Sequence, residues 1–389
     1  MEIKNLKRSF FKSLWALLIM GLLFSGCWNY REVNRLTIVT GVAVDKGTSH
    51  KYLATLEVVN FKPGKDSEIE SKTISGEGDS LLEALRNSYN ISGLLGYFNH
   101  TRVFIISQEV ARERILPIVD LLTRSPRIRV SVAILISKAD TAREVLTAQS
   151  LNQPIKSFLI GDAFTVQKGA VSKTMEVEVY QAINAMGGQG TALLLPTVGV
   201  VENNGQPAIE LSGTAVFKQD RLAGFLDGEE SKYVLFIKNK VRGGVLLEHM
   251  GQKVNQGTVT FKIKSNRTTI KPVFIDGKLR MKIGLKTKVD IWEMDSPENY
   301  NSENGRKLLK RQAEQALQEN ILRVISQVQQ NYGADIFGFG GRIYSQMPNR
   351  WRKIKPKWEQ LFKQLKADVK AEIEIEESGM AIKPLMIGG

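Results

Sequence analysis

The chain contains 389 residues, of which 42% are hydrophobic and 24% are charged, a composition typical of folded globular proteins and a length sufficient for two or three domains. Its formal net charge is +14 at pH 7, which favours anionic partners such as membrane surfaces or nucleic acid. Cysteine occurs once, which excludes a framework of intramolecular disulfides.

The first 26 residues have the pattern of a secretory signal peptide, in which basic residues precede a short apolar run and a few small residues. The basic residues are Lys4, Lys7, Arg8 and Lys12. The apolar run, residues 14–24, is too short for a stable transmembrane helix, which requires about 20 apolar residues. Ser25 and Gly26 then precede Cys27. The sequence therefore predicts a signal peptide at residues 1–26 and cleavage before Cys27.

Cys27 and the residues before it resemble the lipobox of bacterial lipoproteins, in which the thiol becomes a thioether to diacylglycerol and the new amine is acylated. Phe24 stands where that box usually has leucine. The resemblance implies lipidation at Cys27 and firm anchoring to a bilayer, because two or three acyl chains bind more strongly than one. The alternative is an uncleaved N-terminal anchor with an incidental cysteine. Export argues against nucleic acid as the partner, and the basic residues are spread along the chain.

The first part of the mature chain predicts strands that alternate with helices, which indicates an α/β or α+β arrangement. Strands are predicted at residues 36–45, 52–61, 101–107 and 129–136. The first two form a predicted hairpin. Helices are predicted at residues 81–90, 108–122 and 141–148. The second helix is interrupted or bent near Pro117.

The middle of the chain is less regular. A glycine cluster occupies residues 187–190, and a clear turn follows at residues 203–207. Residues 209–217 and 221–226 predict a hairpin, whereas residues 230–239 fit a helix or a strand. We place a domain boundary at the turn. The predicted units are an N-terminal α/β domain at 27–204, a small middle domain at 205–265 and a C-terminal α+β domain at 266–389.

The last third predicts a sheet and a long helix. Apolar and polar residues alternate at residues 259–264, 279–286 and 369–376, which indicates strands with one solvated face and hence an antiparallel sheet. A helix is predicted at residues 302–330, with an apolar face at helical spacing. That face consists of Leu309, Ala313, Leu317, Ile321, Val324 and Val328.

A second helical region carries Trp351 and Trp358 and is bent or split at Pro356. The spacing of the tryptophans places both on one helix face, where they either pack in the core or line a groove for a partner. Together, the elements of the chain predict an α+β fold in which sheets are covered by helices.

The sequence contains no recognisable catalytic or metal-binding motif. The three histidines are His50, His100 and His249. They are far apart, and none has the HExxH spacing of a metal site. GxSxG and serine–lysine motifs are also absent. Glu374 and Glu376 fall on the solvated face of a predicted strand, which disfavours paired-acid glycosidase chemistry. The glycine-rich run at residues 338–341 is predicted to terminate a helix rather than to bind phosphate.

Several motifs, taken in their order and spacing, resemble the C-subunit lipoproteins of bacterial spore germinant receptors, the Ger(x)C family. They are CWNYRE at 27–32, GVAVDK at 41–46, FNHTRV at 98–103, DLLTRSPRIR at 120–129, GTAVF at 213–217, DIFGFG at 335–340 and PNRW at 348–351. The resemblance covers nearly the whole chain. It implies an α+β fold of three domains, each a mainly antiparallel sheet packed with helices.

The resemblance also implies a non-enzymatic subunit that needs no cofactor or metal and is anchored on the outer face of the spore inner membrane. Its implied partners are two membrane-embedded receptor subunits, one of them transporter-like, and the bilayer itself. Two other classes remain open. A ligand-binding lipoprotein of a transporter would usually show two similar α/β lobes, and a cell-wall hydrolase would need a catalytic constellation.

Overall fold

Two β-sheets, one in each half of the chain, organise the described residues. The computed structural model describes residues 10–16, 20, 36–61, 69–149, 153–249, 257–295 and 302–376. Both sheets pack against helices. The predicted α+β fold is therefore confirmed.

The first sheet is mixed. Its strands are β1 (Leu36–Lys46), β2 (Tyr52–Phe61), β3 (Ile69–Gly78), β4 (Leu95–Tyr97), β5 (Val103–Ile106), β6 (Ala133–Ser137), β7 (Leu194–Asn203), β8 (Gln206–Lys218) and β9 (Arg221–Leu226). Their order is β3-β2-β1-β5-β6-β7-β8-β9, with β4 paired to β1. The central strands β1, β5, β6 and β7 are parallel, because helical connections return the chain to the same end of the sheet. The outer pairs, including the predicted β1–β2 hairpin, are antiparallel.

Helices cover both faces of the first sheet. They are α1 (Leu81–Ser92), α2 (Gln108–Glu113), α3 (Leu116–Arg124), α4 (Ala142–Thr147), α5 (Lys156–Val166) and α6 (Val179–Gly187). One face packs against α1, α2, α3 and α6, and the other against α4 and α5. The region predicted as one helix at 108–122 is two helices. Pro117 lacks an amide hydrogen and therefore fits the first turn of α3 rather than the interior of a longer helix.

The contact between α1 and β3 depends on two glycines. A Cβ atom added at Gly76 would lie 2.4 Å from the amide nitrogen of Ser88, and one added at Gly78 would lie 2.5 Å from that of Ala84. Only glycine allows the helix to approach the strand backbone this closely. These positions therefore set the distance between α1 and the edge of the sheet.

The second half consists of a four-stranded sheet and five helices in the described residues. The strands are β10 (Val245–His249), β11 (Thr258–Ile275), β12 (Lys278–Asp295) and β13 (Lys366–Ile375), in that order across the sheet. The helices are α7 (Gly228–Ile237), α8 (Glu303–Asn331), α9 (Phe339–Gln346), α10 (Pro348–Ile354) and α11 (Trp358–Gln364). Residues 230–239, which the sequence left open, are mostly helical. The side chain of Asp227 caps α7 by accepting a 2.8 Å hydrogen bond from the amide of Glu230.

The direction of the last strand differs from the prediction. β13 runs parallel to β12, whereas the alternating pattern predicted an antiparallel sheet. The long connection through α8–α11 returns the chain to the start of β12, so β13 follows the same direction. Alternation reports which side chains are solvated but does not report the direction of a strand.

The core of the second half extends to the first sheet. Leu194, Val216 and Leu226 belong to strands of the first sheet, yet they pack in the cluster formed mainly by the second sheet and its helices. The predicted boundary near residue 204 falls in the turn between β7 and β8, which pair with each other. The division into three domains at these limits stays a prediction.

Candidate functional site

Cys27, the predicted lipidation site, lies outside the described residues. Its lipidation therefore stays a prediction of the sequence. Within the part of the chain that the structure describes, no helix is long and apolar enough to cross a membrane. Residues 28–35 connect Cys27 to β1, which lies inside the first sheet between β2 and β5. The sequence thus places only residues 28–35 between the predicted lipidation site and the first sheet.

Exposed apolar side chains lie close to the start of β1. Leu36, the first residue of β1, pairs with Leu95 of β4. The exposed fractions of Ile91, Leu94 and Leu95 are 69%, 37% and 44%. We call these three residues the β4 patch. Because Leu36 pairs with Leu95, the patch lies at the end of the sheet where β1 begins.

Two arginines act on Tyr89, whose ring lies against Gly96 of β4. Burial raises the pKa of Tyr89, in the last part of α1, whereas the positive charges of Arg127 and Arg86 lower it. Both guanidinium groups are therefore close enough to act on the phenol. Exposed apolar side chains with cations beside them are typical of surfaces that contact an anionic bilayer.

The histidines do not form a site. The Nδ1 atom of His50 lies 3.3 Å from a carboxylate oxygen of Asp79 at the protein surface. The ring of His100 is exposed and lies 5.8 Å from that of Tyr97. His249 ends β10 in the other half of the chain. Among the described residues, no group of three histidine, cysteine, aspartate or glutamate side chains is arranged to hold a metal ion.

The glycine-rich run at residues 338–341 begins a helix, so the prediction that it terminates one is wrong. Gly338, with φ of 80°, precedes α9. The carboxylate of Asp335 accepts hydrogen bonds from the amides of Gly338, Phe339 and Gly340, at 2.9, 3.1 and 2.7 Å. Burial raises the pKa of Asp335 to about 6, against the lowering effect of these bonds and of Lys238. A protein carboxylate thus occupies the position that a bound phosphate would take.

Two buried carboxylates on the first sheet also accept hydrogen bonds from backbone amides at the starts of helices. Asp45 accepts hydrogen bonds from Ala142 and Arg143 at the start of α4, at 2.6 and 3.0 Å. Burial raises the pKa of Asp45, although these bonds oppose the shift. The helix amides lie about a hundred residues further along the chain, so the sequence does not show the pairing. The function of this carboxylate is structural.

Glu57 makes the corresponding contact with α5. Its carboxylate accepts hydrogen bonds from the amides of Lys156 and Ser157, at 2.7 and 2.9 Å, and from the hydroxyl of Thr40, at 3.2 Å. No local motif in the sequence indicates this role of Glu57. The available signal was its charge within β2, a strand whose other residues are mostly apolar.

Glu374 and Glu376, which the sequence placed on a solvated face, pair with lysines at the surface. Lys288 lies 3.6 Å from Glu374 and 2.5 Å from Glu376, and Lys264 lies 3.2 Å from Glu376. The lysines lower the pKa of Glu376. A general acid of a glycosidase needs a raised pKa, and the shift of Glu376 is in the opposite direction.

Trp351 and Trp358 pack in the core where the two halves of the chain meet. They lie on α10 and α11, which a short 3₁₀ turn containing Pro356 separates. Their rings are 5.3 Å apart in an edge-to-face arrangement, and only 2% and 7% of the two residues is exposed. Of the two alternatives for this pair, packing in the core is confirmed. The Trp351 indole donates a 3.4 Å hydrogen bond to Gln189 of the first half.

Close contacts and polar contacts hold the two halves together. A Cβ atom added at Gly190 would lie 2.9 Å from the Cα atom of Gly340 and would clash with the ring of Trp351. Further contacts join Tyr332 to Phe225 (2.7 Å), Ala192 to Asp335 (2.8 Å) and Lys218 to Glu359 (3.1 Å). Gly190, the last glycine of the cluster at 187–190, therefore allows close packing between the halves.

Glu248 is a buried carboxylate without a helix to cap. It lies on β10, and burial raises its pKa to about 7, although Lys232 and Arg323 lower it. Such a shift is common at catalytic sites. Here the charged groups that act on Glu248 are Lys232, Arg323 and a second carboxylate, Glu319.

The chain matches two family models. Residues 29–200 match the model described as "Spore germination protein N-terminal domain", and residues 212–379 match "Spore germination B3/ GerAC like, C-terminal". Spore germination protein B3 of Bacillus subtilis (strain 168) is 25% identical over 93% of this chain and 96% of its own length. Spore germination protein YndF of the same organism is 27% identical over 94% and 96%.

A solved structure has the same fold. The crystal structure of the GerBC protein superposes with a TM-score of 0.56 and covers 86% of this chain and 96% of its own, at 21% sequence identity. The two family models cover both halves of the chain, and the curated relatives match along almost its full length. The chain therefore belongs to the Ger(x)C family of spore germination proteins.

Proposed function

We propose that this protein is the lipid-anchored, non-enzymatic C subunit of a spore germinant receptor and is required for nutrient-triggered germination. The observation that carries the proposal is the match to proteins named for spore germination over more than nine tenths of the chain. Its partners are two membrane-embedded receptor subunits, one of them transporter-like. In this proposal the protein works through contact with those subunits and needs no cofactor.

The anchor places the protein on the outer face of the spore inner membrane. Cys27, at the end of the leader, carries the lipid, and residues 28–35 leave little chain between the bilayer and β1. The position of the β4 patch beside the start of β1 supports this orientation. Confinement to the plane of the membrane raises the effective concentration of membrane partners, so weak contacts suffice.

The buried carboxylates support contact rather than catalysis. Asp45, Glu57 and Asp335 are committed to backbone amides of helices. The first sheet has nine strands and the second has four. This difference disfavours a ligand-binding lipoprotein of a transporter, for which two similar lobes are expected. A cell-wall hydrolase remains the alternative that the experiment must exclude.

The test compares the natural chain with Cys27→Ala in spores that lack the original gene. Fatty acid labelling should mark the natural chain alone, and only the natural chain should restore germination with the nutrients of its own receptor. Asn29→Ala, two residues away, serves as the control and should behave like the natural chain. Full germination with an unlabelled Cys27→Ala protein would contradict anchoring. Release of soluble fragments from peptidoglycan by the purified chain would favour the hydrolase.

A further inference from the structure

A cleft of about 740 Å³ lies between the two halves of the chain. Helices α3 and α6 and the turn between β8 and β9 form one side, and α11 with residues 333–335 forms the other. Cavities of about 300–1,000 Å³ between structural units are typical of sites for small organic molecules. The contact function proposed above makes no use of this cleft.

Most of the cleft wall is apolar. The apolar side chains that line it include Leu116, Val119, Ile183, Met186 and Phe362. Leu116 is 42% exposed, although its neighbours Val119 and Phe362 are buried. A molecule in the cleft would remove this leucine from water and would therefore gain hydrophobic free energy.

The charged side chains of the cleft already have partners. Arg114 lies 2.6 Å from Asp220, and Lys218 lies 3.1 Å from Glu359. Asp120 lies 2.8 Å from Arg124, and Asp335 accepts the amide hydrogens at the start of α9. A charged molecule would have to displace one of these interactions to find an opposite charge. The wall therefore favours a neutral molecule.

One polar group of the wall lacks a partner. Trp358 lines the cleft, and its indole Nε1 is buried without a hydrogen-bond acceptor among the described residues. Buried N–H groups in folded proteins nearly always find an acceptor, so an unpaired one requires an explanation. The N–H is closed to solvent here, so an acceptor atom on a bound molecule reaches it when the indole ring turns toward the cleft.

We propose that the cleft binds a small, neutral, largely apolar organic molecule whose hydrogen-bond acceptor receives the indole N–H of Trp358. Because the walls belong to both halves of the chain, the bound molecule contacts α3 and α11 at the same time. Binding in the cleft therefore depends on how the two halves are placed relative to each other.

Benzophenone is a suitable probe, because it is neutral, has two apolar rings and one ketone acceptor, and forms a covalent bond to nearby C–H groups on irradiation. The full-length chain in detergent should be labelled saturably within residues 116–124, 183–193 and 358–362. Thr123→Trp, at an exposed lining position of α3, should abolish this labelling by filling the cleft. Gln360→Trp, exposed on α11 but outside the lining, is the matched control and should be labelled like the natural chain.

Two further comparisons test the chemistry. Trp358→Phe keeps an aromatic ring but removes the N–H, so half-saturation should require about five-fold more benzophenone, as expected for one neutral hydrogen bond. Benzoylbenzoate, the carboxylated analogue, should label the cleft more weakly than benzophenone. Labelling of these segments that is unaffected by Thr123→Trp would overturn the site. Stronger cleft labelling by the carboxylate would overturn the neutral class of ligand.

Discussion

Glu57 is a charged residue whose contribution to stability comes from the backbone of a distant helix. It is fully buried in β2 and accepts hydrogen bonds from the first two amides of α5. A helix start cannot satisfy these amides internally, and its dipole favours a negative charge. The carboxylate therefore fixes α5 against the sheet.

Replacing Glu57 with alanine leaves one buried amide, that of Ser157, and one partly buried amide, that of Lys156, without acceptors. Each unsatisfied donor costs about 1–3 kcal/mol, so Glu57→Ala should lower the free energy of unfolding by at least about 2 kcal/mol. Urea denaturation followed by circular dichroism measures the change. Glu210→Ala, on an exposed position of β8, is the control and should change it by less than about 0.5 kcal/mol. Equal losses in both variants would contradict the capping role.

Glu248 should make the stability of the protein depend on pH. Its pKa is raised to about 7 in the folded protein, above its value in the unfolded chain, so the folded state binds more protons between about pH 4.5 and 7. Stability from this residue is present at low pH and is lost as the pH rises through that range. Glu248→Gln, which is neutral throughout, should raise the melting temperature most at pH 8 and least at pH 5. Thermal unfolding at both pH values measures the difference, and an equal shift at each would contradict it.

Individual residues were predictable where a local pattern reveals them. The stripe on α8 and the solvated pair Glu374 and Glu376 follow from periodicity alone. Asp45 and Glu57 were not predictable in this way, because their partners lie about a hundred residues away. A carboxylate inside an apolar strand indicates burial but does not identify the helix that it caps.

At the scale of elements, α8 is the clearest case in which the pattern of residues specifies the structure. Ser302 accepts a 3.0 Å hydrogen bond from the amide of Gly305 and caps the helix. All six residues of the predicted apolar face are buried. The helix therefore packs along the second sheet with the face that the sequence predicted.

Truncation of that face should be costly. Leu317→Ala and Ile321→Ala each remove a fully buried side chain and should lower the free energy of unfolding by about 2–5 kcal/mol. Arg311→Ala, on the exposed side of α8, should have little effect because it keeps helix propensity and removes no buried contact. Thermal or urea denaturation of the three variants measures this, and similar losses in all three would mean that the orientation of α8 is wrong.

Other elements show where local patterns stop being informative. The glycine run at 338–341 was predicted to end a helix but begins one, because Asp335 caps it and Gly338 adopts a positive φ. Alternation gave the correct faces of β13 but not its direction. Strand direction depends on the path of the chain through α8–α11, which no short window of sequence contains.

At the scale of the whole molecule, the first sheet determines how the protein would sit on a membrane. The start of β1 and the β4 patch lie at one end of the parallel strands, whereas the end of β7 lies at the other. An anchor at Cys27 would hold the first end near the bilayer. The α+β class was predictable from the sequence, but the continuity of β7 and β8 across the predicted domain boundary was not.

This orientation can be measured with a single added cysteine, because acylation of Cys27 would leave it as the only free thiol. A fluorophore on Leu95→Cys should be quenched by nitroxide-labelled lipids in anionic vesicles that carry the acylated chain. A fluorophore on Glu202→Cys, exposed near the end of β7, should not be. Equal quenching at both positions would contradict the orientation.

The parallel pairing of β13 with β12 also determines the order in which the protein can form. Ten consecutive residue pairs join these strands, yet the partner of β12 is synthesised only after α8, α9, α10 and α11. Until then, β12 has an open edge that exposes unpaired amides and carbonyls to any other strand. A contact between segments so far apart in sequence also slows folding. Premature termination before Lys366 would therefore release a chain with a permanently open edge, and such a chain is prone to aggregate rather than to assemble.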